Sequence, residues 1–213
     1  MADSKHVILR FVLIDNLDGI LTRGGMYAPN HEPNDGIIYK PIHSQEVQSK
    51  RSNYRVSVGP GGCLHDYVPF YFGWHSPMML QLKTGQVAGY GGGQRPLIYL
   101  VYHAEDVVTA GCQFAFTDGH GIAKFTQFFD DLAHLDRVDW KTVKLKQWAD
   151  TADDNDRQRR KQAEFLVHRF VPWEPICGIA VIDDGMKSQV EGILGRHPNM
   201  RQPIVKVLPN WYY

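Results

Sequence analysis

Short runs of apolar residues, interrupted by glycine, proline and charged positions, dominate the pattern of this chain. Each run has the length of a strand that is largely buried, and none has the length of a long helix. Pro69, inside one of these runs, points to an edge strand or a bulge there. Seven runs predict strands, at residues 6–14, 67–72, 97–103, 114–116, 163–170, 177–182 and 204–208.

Helical patterns are fewer than strand patterns. Asp15 precedes one of them as a potential N-cap, and Ser76 precedes another in which Pro77 would be the first helical residue. Because strands outnumber the helices that could cross between them, the chain is predicted to be an α+β protein. The helix after Asp15 spans residues 16–23, and apolar spacing predicts further helices at residues 124–135, 138–148 and 186–194.

Two stretches lack a periodic apolar pattern. Residues 26–62 are rich in proline and glycine, and a segment of this length without structure of its own is usually functional or disordered. Residues 151–161 combine an acidic run with a basic run, which is typical of a solvated segment. We expect the first of these stretches to cover or shape a functional site.

Composition places the chain among soluble globular proteins. Of its 213 residues, 43% are hydrophobic and 22% are charged, which predicts one domain over residues 1–213. Lysine plus arginine (23) equals aspartate plus glutamate (23), so any contact with nucleic acid must be a local patch. Three scattered cysteines, the absence of a long apolar run and the absence of a signal-peptide pattern predict a cytoplasmic protein without membrane association.

Few residues stand out as candidates for chemistry. No phosphate-loop or Rossmann motif is present, and no histidine has a second ligand at helical spacing, so no metal site is predicted. Glu164 lies in an apolar run, where a buried carboxylate needs a charged or hydrogen-bonding partner; the alternative is a solvent-facing glutamate. Arg51 lies among basic residues that could instead be simply solvated. The aromatic residues at 67–74 could form core or a flat pocket for a ring.

A family resemblance emerges from several of these segments together. Residues 60–72 (PGGCLHDYVPFYF), followed by SPM at 76–78, closely resemble the signature of the DarT enzymes. These are the DNA ADP-ribosyltransferase toxins of DarT–DarG toxin–antitoxin pairs. The resemblance extends over about residues 7–213. Further matches are DNL at 15–17, GIL at 19–21, FTD at 116–118 with His120, KQAEFLV at 161–167 and WYY at 211–213.

The resemblance implies an ADP-ribosyltransferase fold: a split, mostly antiparallel sheet with peripheral helices and a long loop that covers NAD and DNA. It also implies transfer of ADP-ribose from NAD, as co-substrate and without a metal, to a base in single-stranded DNA. Thymine N3 is the expected target. Guanine in DNA, an RNA base, or a catalytically inactive binding module remain alternatives. The implied partner is a DarG-type macrodomain antitoxin, and we expect a monomer.

Three residues match the family's catalytic positions. Glu164 would polarise the ribose 2′-hydroxyl and stabilise the positive charge that develops when nicotinamide leaves. Arg51 would favour the anionic form of the target base. His120 would lie near the active centre, on the DNA side.

The resemblance also implies binding residues for both substrates. Arg10 stands where some members have histidine, and Met79 stands where poly(ADP-ribose) polymerases have a stacking tyrosine, so that its thioether would pack on the ring edge. Ser76 would bond the nicotinamide amide. The implied NAD-binding residues are Arg10, Asn16, Leu17, Gly19, Tyr71, Phe72, Ser76 and Met79. The implied DNA-binding residues are Lys50, Arg55, Arg157 and Arg160.

Overall fold

A computed structural model describes residues 5–213 of the chain. Within these residues, eight strands form one sheet in the order β10-β9-β4-β1-β3-β7-β5-β6, and β2 pairs with β8 in a second, small sheet. Neighbouring strands are antiparallel except β9 and β10, which are parallel. The strands are β1 (Val7–Leu13), β2 (Gly25–Tyr27), β3 (Tyr67–Tyr71), β4 (Leu97–His103), β5 (Phe114–Thr117), β6 (Phe128–Phe129), β7 (Glu164–His168), β8 (Phe170–Pro172), β9 (Gly178–Val181) and β10 (Ile204–Val207).

Helices surround this sheet. Short 3-10 turns lie between the helices and strands, among them Ile14–Asn16, Leu132–Arg137 and Thr142–Lys144. Among the helices of residues 5–213, none combines the length and apolar character that crossing a membrane requires. The α-helices are α1 (Leu17–Thr22), α2 (Gln45–Asn53), α3 (Pro77–Lys83), α4 (Ala104–Thr109), α5 (Arg157–Lys161) and α6 (Asp184–Gly195).

Both faces of the central sheet are buried, which explains the continuous apolar runs. In β1, Ile8 and Val12 belong to one core cluster, whereas Leu9 and Phe11 belong to another. Successive side chains of a strand point to opposite faces, so a strand with core on both sides needs apolar residues throughout. The predicted strands at 6–14, 97–103 and 177–182 follow this pattern.

The sheet is split between β1 and β3. Antiparallel pairing between them is limited to Leu9 and Tyr71, while β3 pairs with β7 along its whole length. Pro69 lies at the split and has no backbone N–H to donate to β1. The Arg10 side chain donates to the Pro69 carbonyl oxygen across the gap, at 2.9 Å. The expectation of an edge strand was therefore wrong, because β3 lies between β1 and β7 inside the sheet. Pro69 lies where the pairing between β3 and β1 is interrupted.

Two helices predicted from apolar spacing are absent from the described chain. Residues 124–135 form the short strand β6 and the start of a 3-10 turn, because the Asp131 side chain accepts from the Ala133 N–H and starts a new turn there. Residues 138–148 contain only the 3-10 turn Thr142–Lys144, capped by Asp139. Both predictions relied on periodicity that tertiary packing overrides.

Other local predictions were corrected or confirmed in part. Asp15 does not cap α1; it is exposed, and its carboxylate pairs with Lys40 at 2.7 Å. Residues 26–62 are not irregular throughout, since they contain α2 and β2. The solvated segment 151–161 ends in α5, whose Lys161 is only 3% exposed. The Ser76 cap is confirmed, since its hydroxyl accepts from the Met79 N–H at 3.2 Å.

Candidate active site

A cavity of about 490 Å³ opens at the split in the sheet. Its floor comes from β1, β3 and β7, and residues 37–48 lie over it. Among the sequence-predicted site residues, the structure brings seven to this cavity. They are Arg10, Asn16, Gly19, Arg51, Tyr71, His120 and Glu164.

A buried ion pair lies at the centre of the cavity lining. Glu164 begins β7 and is 3% exposed, while Arg51 lies near the end of α2 and is 7% exposed. Arg51 Nη1 donates to Glu164 Oε1 at 3.1 Å, and Nη2 lies 2.9 Å from Oε2. Tyr71 is the direct cross-strand partner of Glu164. The solvent-facing alternative for Glu164 is therefore wrong, and so is the interpretation of Arg51 as a solvated loop residue.

The loop after β5 supplies a second hydrogen-bond donor to the carboxylate, besides Arg51 Nη1. The Gly121 N–H donates to Glu164 Oε1 at 2.9 Å. A Cβ at Gly121 would lie 3.1 Å from the same oxygen, so glycine permits this close approach. His120, which precedes it, lines the cavity and donates its backbone N–H to the Arg159 carbonyl oxygen at 3.0 Å. Two consecutive backbone N–H groups therefore fix this loop, one bonded to the Arg159 carbonyl oxygen and the next to the Glu164 carboxylate.

The surroundings keep Glu164 ionised. Burial alone would raise its pKa, but the positive charge of Arg51 and the hydrogen bonds from Arg51 and Gly121 lower that pKa below its ordinary value. Burial, together with the charge of Arg51, lowers the pKa of His120 despite the opposing effect of Glu164. Burial, followed by the charge of Glu164, raises the pKa of the Tyr71 hydroxyl. At neutral pH the Arg51–Glu164 pair therefore presents a carboxylate and a guanidinium beside the protonated phenol of Tyr71.

Two buried donors at the cavity lack a hydrogen-bond acceptor within residues 5–213. They are Arg10 Nε and Arg51 Nη2; the latter is close to Glu164 but poorly aligned for a hydrogen bond. Buried N–H groups are seldom left unpaired in folded proteins. Donors of this kind suit a ligand that carries phosphate, hydroxyl or amide oxygens, and these are the groups of a dinucleotide such as NAD.

Asn16 and Gly19 hold the covering segment in place. The Asn16 amide donates to the Lys40 carbonyl oxygen at 2.9 Å and accepts from the Lys40 N–H at 2.8 Å. A Cβ at Gly19 would lie 2.8 Å from the Ile37 side chain, so this glycine lets the segment pack closely on α1. Both residues also line the cavity.

Four predicted NAD-binding residues lie in the core or behind the cavity. Leu17 and Met79 have no exposed surface, and Phe72 is 4% exposed within the core. These side chains pack against other apolar residues and do not line the cavity, whereas Met78, the neighbour of Met79, does. Ser76 is 2% exposed and caps α3. Sequence reasoning gave no role to four further residues that line the cavity. His65 and Gln162 lie inside the motifs at 60–72 and 161–167, whereas no motif distinguished His43 and Gln158.

The four basic residues predicted to bind DNA differ in their exposure and in their carboxylate partners. Lys50 is exposed and pairs with Glu46 at 2.7 Å, whereas Arg55 is exposed and has no carboxylate within ion-pair distance among residues 5–213. Arg157 pairs with Asp154 at 3.3 Å. Arg160 pairs with Asp139 and Asp154. None of the four lines the cavity. No cluster of three or more potential metal ligands occurs among the residues that the structure describes.

A split, mostly antiparallel sheet with a buried glutamate at its opening defines an ADP-ribosyltransferase architecture. The chain belongs to the DarT family: the family model described as "ssDNA thymidine ADP-ribosyltransferase, DarT" matches residues 9–213. A Thermus aquaticus DNA ADP-ribosyl transferase is 40% identical over 207 residues, which cover 97% of this chain and 89% of that protein. The fold class and family expected from the sequence are therefore confirmed.

Solved structures agree with this assignment. Thermus sp. 2.9 DarT in complex with ADP-ribosylated ssDNA matches with a TM-score of 0.91 and 38% identity, over 98% of this chain and 97% of that chain. The same protein in complex with NAD+ matches with a TM-score of 0.88 over 100% of both chains, at 37% identity. Thermosipho africanus DarTG, at 19% identity and a TM-score of 0.78, shares the fold over 51% of its length.

Proposed function

We propose that this chain transfers ADP-ribose from NAD to thymine N3 in single-stranded DNA. The observation that carries the proposal is the buried Arg51–Glu164 pair, with the Gly121 N–H on the same carboxylate. A single carboxylate and a single guanidinium at one point of a cavity provide opposite charges for the two reacting partners. The likeness to DarT structures with NAD+ and with ADP-ribosylated ssDNA supports both substrates.

Glu164 acts on the ribose. Its carboxylate accepts a hydrogen bond from the ribose 2′-hydroxyl and stabilises the positive charge that develops as the bond between C1′ and nicotinamide breaks. Nicotinamide leaves with the electron pair of that bond. Because Arg51 and Gly121 keep the carboxylate ionised and fixed, little rearrangement is needed during the reaction.

Arg51 acts on the base. Thymine N3 carries a proton and becomes nucleophilic when that proton passes to solvent water. A guanidinium beside the base favours the anion, whose electron pair then forms the new bond to C1′. His120, uncharged at neutral pH because its pKa is lowered, lies beside this step on the DNA side of the cavity.

The dinucleotide would lie along the split in the sheet. Arg10 supplies an unpaired donor to it, Tyr71 forms the wall beside Glu164, and Asn16 and Gly19 fix the segment above it. Ser76 positions α3. Leu17, Phe72 and Met79 support this wall from the core and make no direct contact.

The DNA and the antitoxin would bind outside the cavity. Of the basic residues, Lys50 and Arg55, on and after α2, are best placed to receive phosphates because both are exposed and the one carboxylate paired with them, that of Glu46, is itself exposed. Arg157 and Arg160 are only partly exposed and pair with partly buried aspartates. We further propose that the chain acts in the cytoplasm, as a monomer, and that a DarG-type macrodomain protein counteracts it. The match to only part of Thermosipho africanus DarTG accords with a separate antitoxin portion in that protein.

Mass spectrometry of oligonucleotides incubated with the protein and NAD tests the proposal. We expect a gain of one ADP-ribose on single-stranded DNA that contains thymine, and none when every thymine is replaced. A gain on guanine or on RNA would move the activity to another base. Absence of NAD cleavage with retained nucleic-acid binding would support an inactive binding module. Growth arrest on expression, relieved by a DarG-type protein and absent with Glu164→Gln, tests the toxin role.

A further inference from the structure

Lys161 is a buried cation without a carboxylate partner. Its side chain ends among three backbone carbonyl oxygens, to which Nζ donates: Trp74 at 2.8 Å, Val143 at 2.7 Å and Leu145 at 2.7 Å. Among residues 5–213, no acidic side chain lies within ion-pair distance of it, whereas the adjacent Arg160 has aspartate partners. An ammonium has three N–H bonds, so all of its donor capacity is used.

The three carbonyl groups belong to two separate turns. Trp74 lies in the turn between β3 and α3, and Val143 and Leu145 lie in and after the 3-10 turn Thr142–Lys144. The turns approach closely: a Cβ at Gly73 would lie 2.0 Å from the Val143 carbonyl oxygen. Without a cation between them, the converging carbonyl oxygens would repel each other and lose their hydrogen bonds.

The turn between β3 and α3 is itself strained. His75 has φ 57°, in the left-handed region that few non-glycine residues occupy. Its carbonyl oxygen accepts from the Tyr213 hydroxyl at 2.6 Å, and the preceding carbonyl, that of Trp74, accepts from Lys161. Such a conformation persists only when the surrounding contacts enforce it. Lys161 is one of the side chains whose hydrogen bonds do so.

This turn and Lys161 each adjoin a chain segment that lines the active-site cavity. The turn joins Tyr71, at the end of β3, to Met78 near the start of α3, and both line the cavity. Lys161 itself precedes Glu164 by three residues, with the cavity-lining Gln162 between them, and Glu164 pairs with Tyr71 across the neighbouring strands. The ammonium therefore connects the wall that carries Tyr71 and Met78 to the chain segment that carries Glu164.

We propose that Lys161 is a positioning residue of the active site, whose ammonium fixes the turn between β3 and α3 relative to Glu164. It touches no substrate. Burial lowers the pKa of Lys161 to about 7, and the three carbonyl oxygens partly offset this cost by accepting every N–H. The inference rests on the proposed function, because its test measures NAD cleavage.

The test compares Lys161→Met, which removes all donors at similar length, with Lys161→Gln, which keeps two. Lys144→Met is the matched control, since Lys144 lies in the same 3-10 turn but is exposed. Thermal unfolding, the Kd for NAD and the kcat of NAD cleavage without DNA are measured for each. We expect kcat to fall at least about tenfold in Lys161→Met with Kd changed less than about threefold, because small misplacements of catalytic groups are costly. Lys161→Gln should be intermediate, and Lys144→Met unchanged.

The outcomes separate the two proposals. A folded Lys161→Met with the kcat of the unchanged protein would overturn the positioning role, as would a loss of kcat that only follows the folded fraction. Failure of both Lys161 variants to fold would also overturn it, because Lys161 would then serve folding as a whole. If the unchanged protein neither cleaves NAD nor modifies DNA, the proposed function itself fails.

Discussion

Two groups of charged residues flank the start of β7, and they are built in opposite ways. On the cavity side, Arg51 and Glu164 form a single pair that is more than nine-tenths buried. In the second group, Arg159 of α5 donates hydrogen bonds to Asp118 and Asp156 at 2.7–2.9 Å. Arg160, also partly exposed, pairs with three aspartates, which are Asp139, Asp154 and Asp156. The first group is one buried ion pair, whereas the second is a partly exposed network in which each arginine pairs with more than one aspartate.

The difference indicates which charges are kept for chemistry. A buried pair is costly to desolvate and is often no more stabilising than apolar residues of the same size. In a partly exposed network, removing any one ion pair lowers the free energy of unfolding only slightly. Its role here is local: Arg159 holds the loop that brings the Gly121 N–H to Glu164. The network therefore supports the loop. In the isolated pair, Arg51 Nη2 has no hydrogen-bond acceptor among residues 5–213 and is available to a ligand in the cavity.

The most damaging single change should remove the charge of the isolated pair. Glu164→Gln preserves shape and one hydrogen-bond acceptor but removes the negative charge that the developing ribose cation needs. We expect DNA modification and NAD cleavage to fall at least about 10²–10³-fold, measured by mass spectrometry and by release of nicotinamide. The fold should be retained, as judged by circular dichroism.

Glu46→Gln is the matched control for this change. Glu46 is an exposed glutamate on α2 whose pairing with Lys50 is a surface ion pair. Its loss should leave NAD cleavage within about twofold, because exposed pairs contribute little. Comparable activity of Glu164→Gln and the unchanged protein would refute the role given to the buried carboxylate.

The other member of the pair should separate the two half-reactions. Arg51→Lys keeps a positive charge but loses the forked geometry that holds both carboxylate oxygens. We expect DNA modification to fall about 10²-fold and NAD cleavage in the absence of DNA to fall much less. Equal losses in both assays would place Arg51 with NAD and not with the base. Ser49→Ala, two residues earlier on α2 and exposed, controls for general effects on the helix.

The pair should also set how stability depends on pH. The pKa of Glu164 in the folded chain is below its ordinary value of 4.5. A carboxyl with a lowered pKa contributes stability that is fully present above the unfolded-state pKa and is lost as pH falls through the folded-state pKa. Urea unfolding at pH 7 and at steps below 4.5 should show a steeper loss for the unchanged protein than for Glu164→Gln. Parallel curves would mean that the carboxyl is not held ionised by its partners.

Sequence reasoning located the carboxylate but not its surroundings. Glu164 was conspicuous because a charge interrupts an apolar strand, and that anomaly is local. Arg51 drew no comparable attention from its own segment, since α2 is polar at every position except Val47 and the arginine is buried only in the folded chain. Before the family resemblance is considered, nothing near either residue predicts their contact, which joins positions 113 apart in sequence.

The errors have a common physical origin. Phe125, Phe128 and Phe129 have helical spacing, yet Phe125 is 79% exposed and the other two belong to an edge strand. Asp131 and Asp139 bond nearby backbone N–H groups and start 3-10 turns where the periodicity predicted continuous helices. Lys161 was assigned to a solvated run because its three acceptors are distant backbone carbonyls, which composition does not reveal.

The smallest expected effect distinguishes free from neutralised arginines on the surface. Arg55→Ala removes an exposed guanidinium that has no carboxylate partner among residues 5–213, while Arg160→Ala removes one that already pairs with Asp139 and Asp154. If Arg55 binds a phosphate, its loss should raise the KM for single-stranded DNA several-fold and reduce the salt dependence of binding by about one unit of slope in a logarithmic plot. Arg160→Ala should change the salt slope by less and should lower the melting temperature instead, since its carboxylate partners lose their counter-charge. An equal change in slope for both variants would mean that the aspartates do not neutralise Arg160 toward DNA.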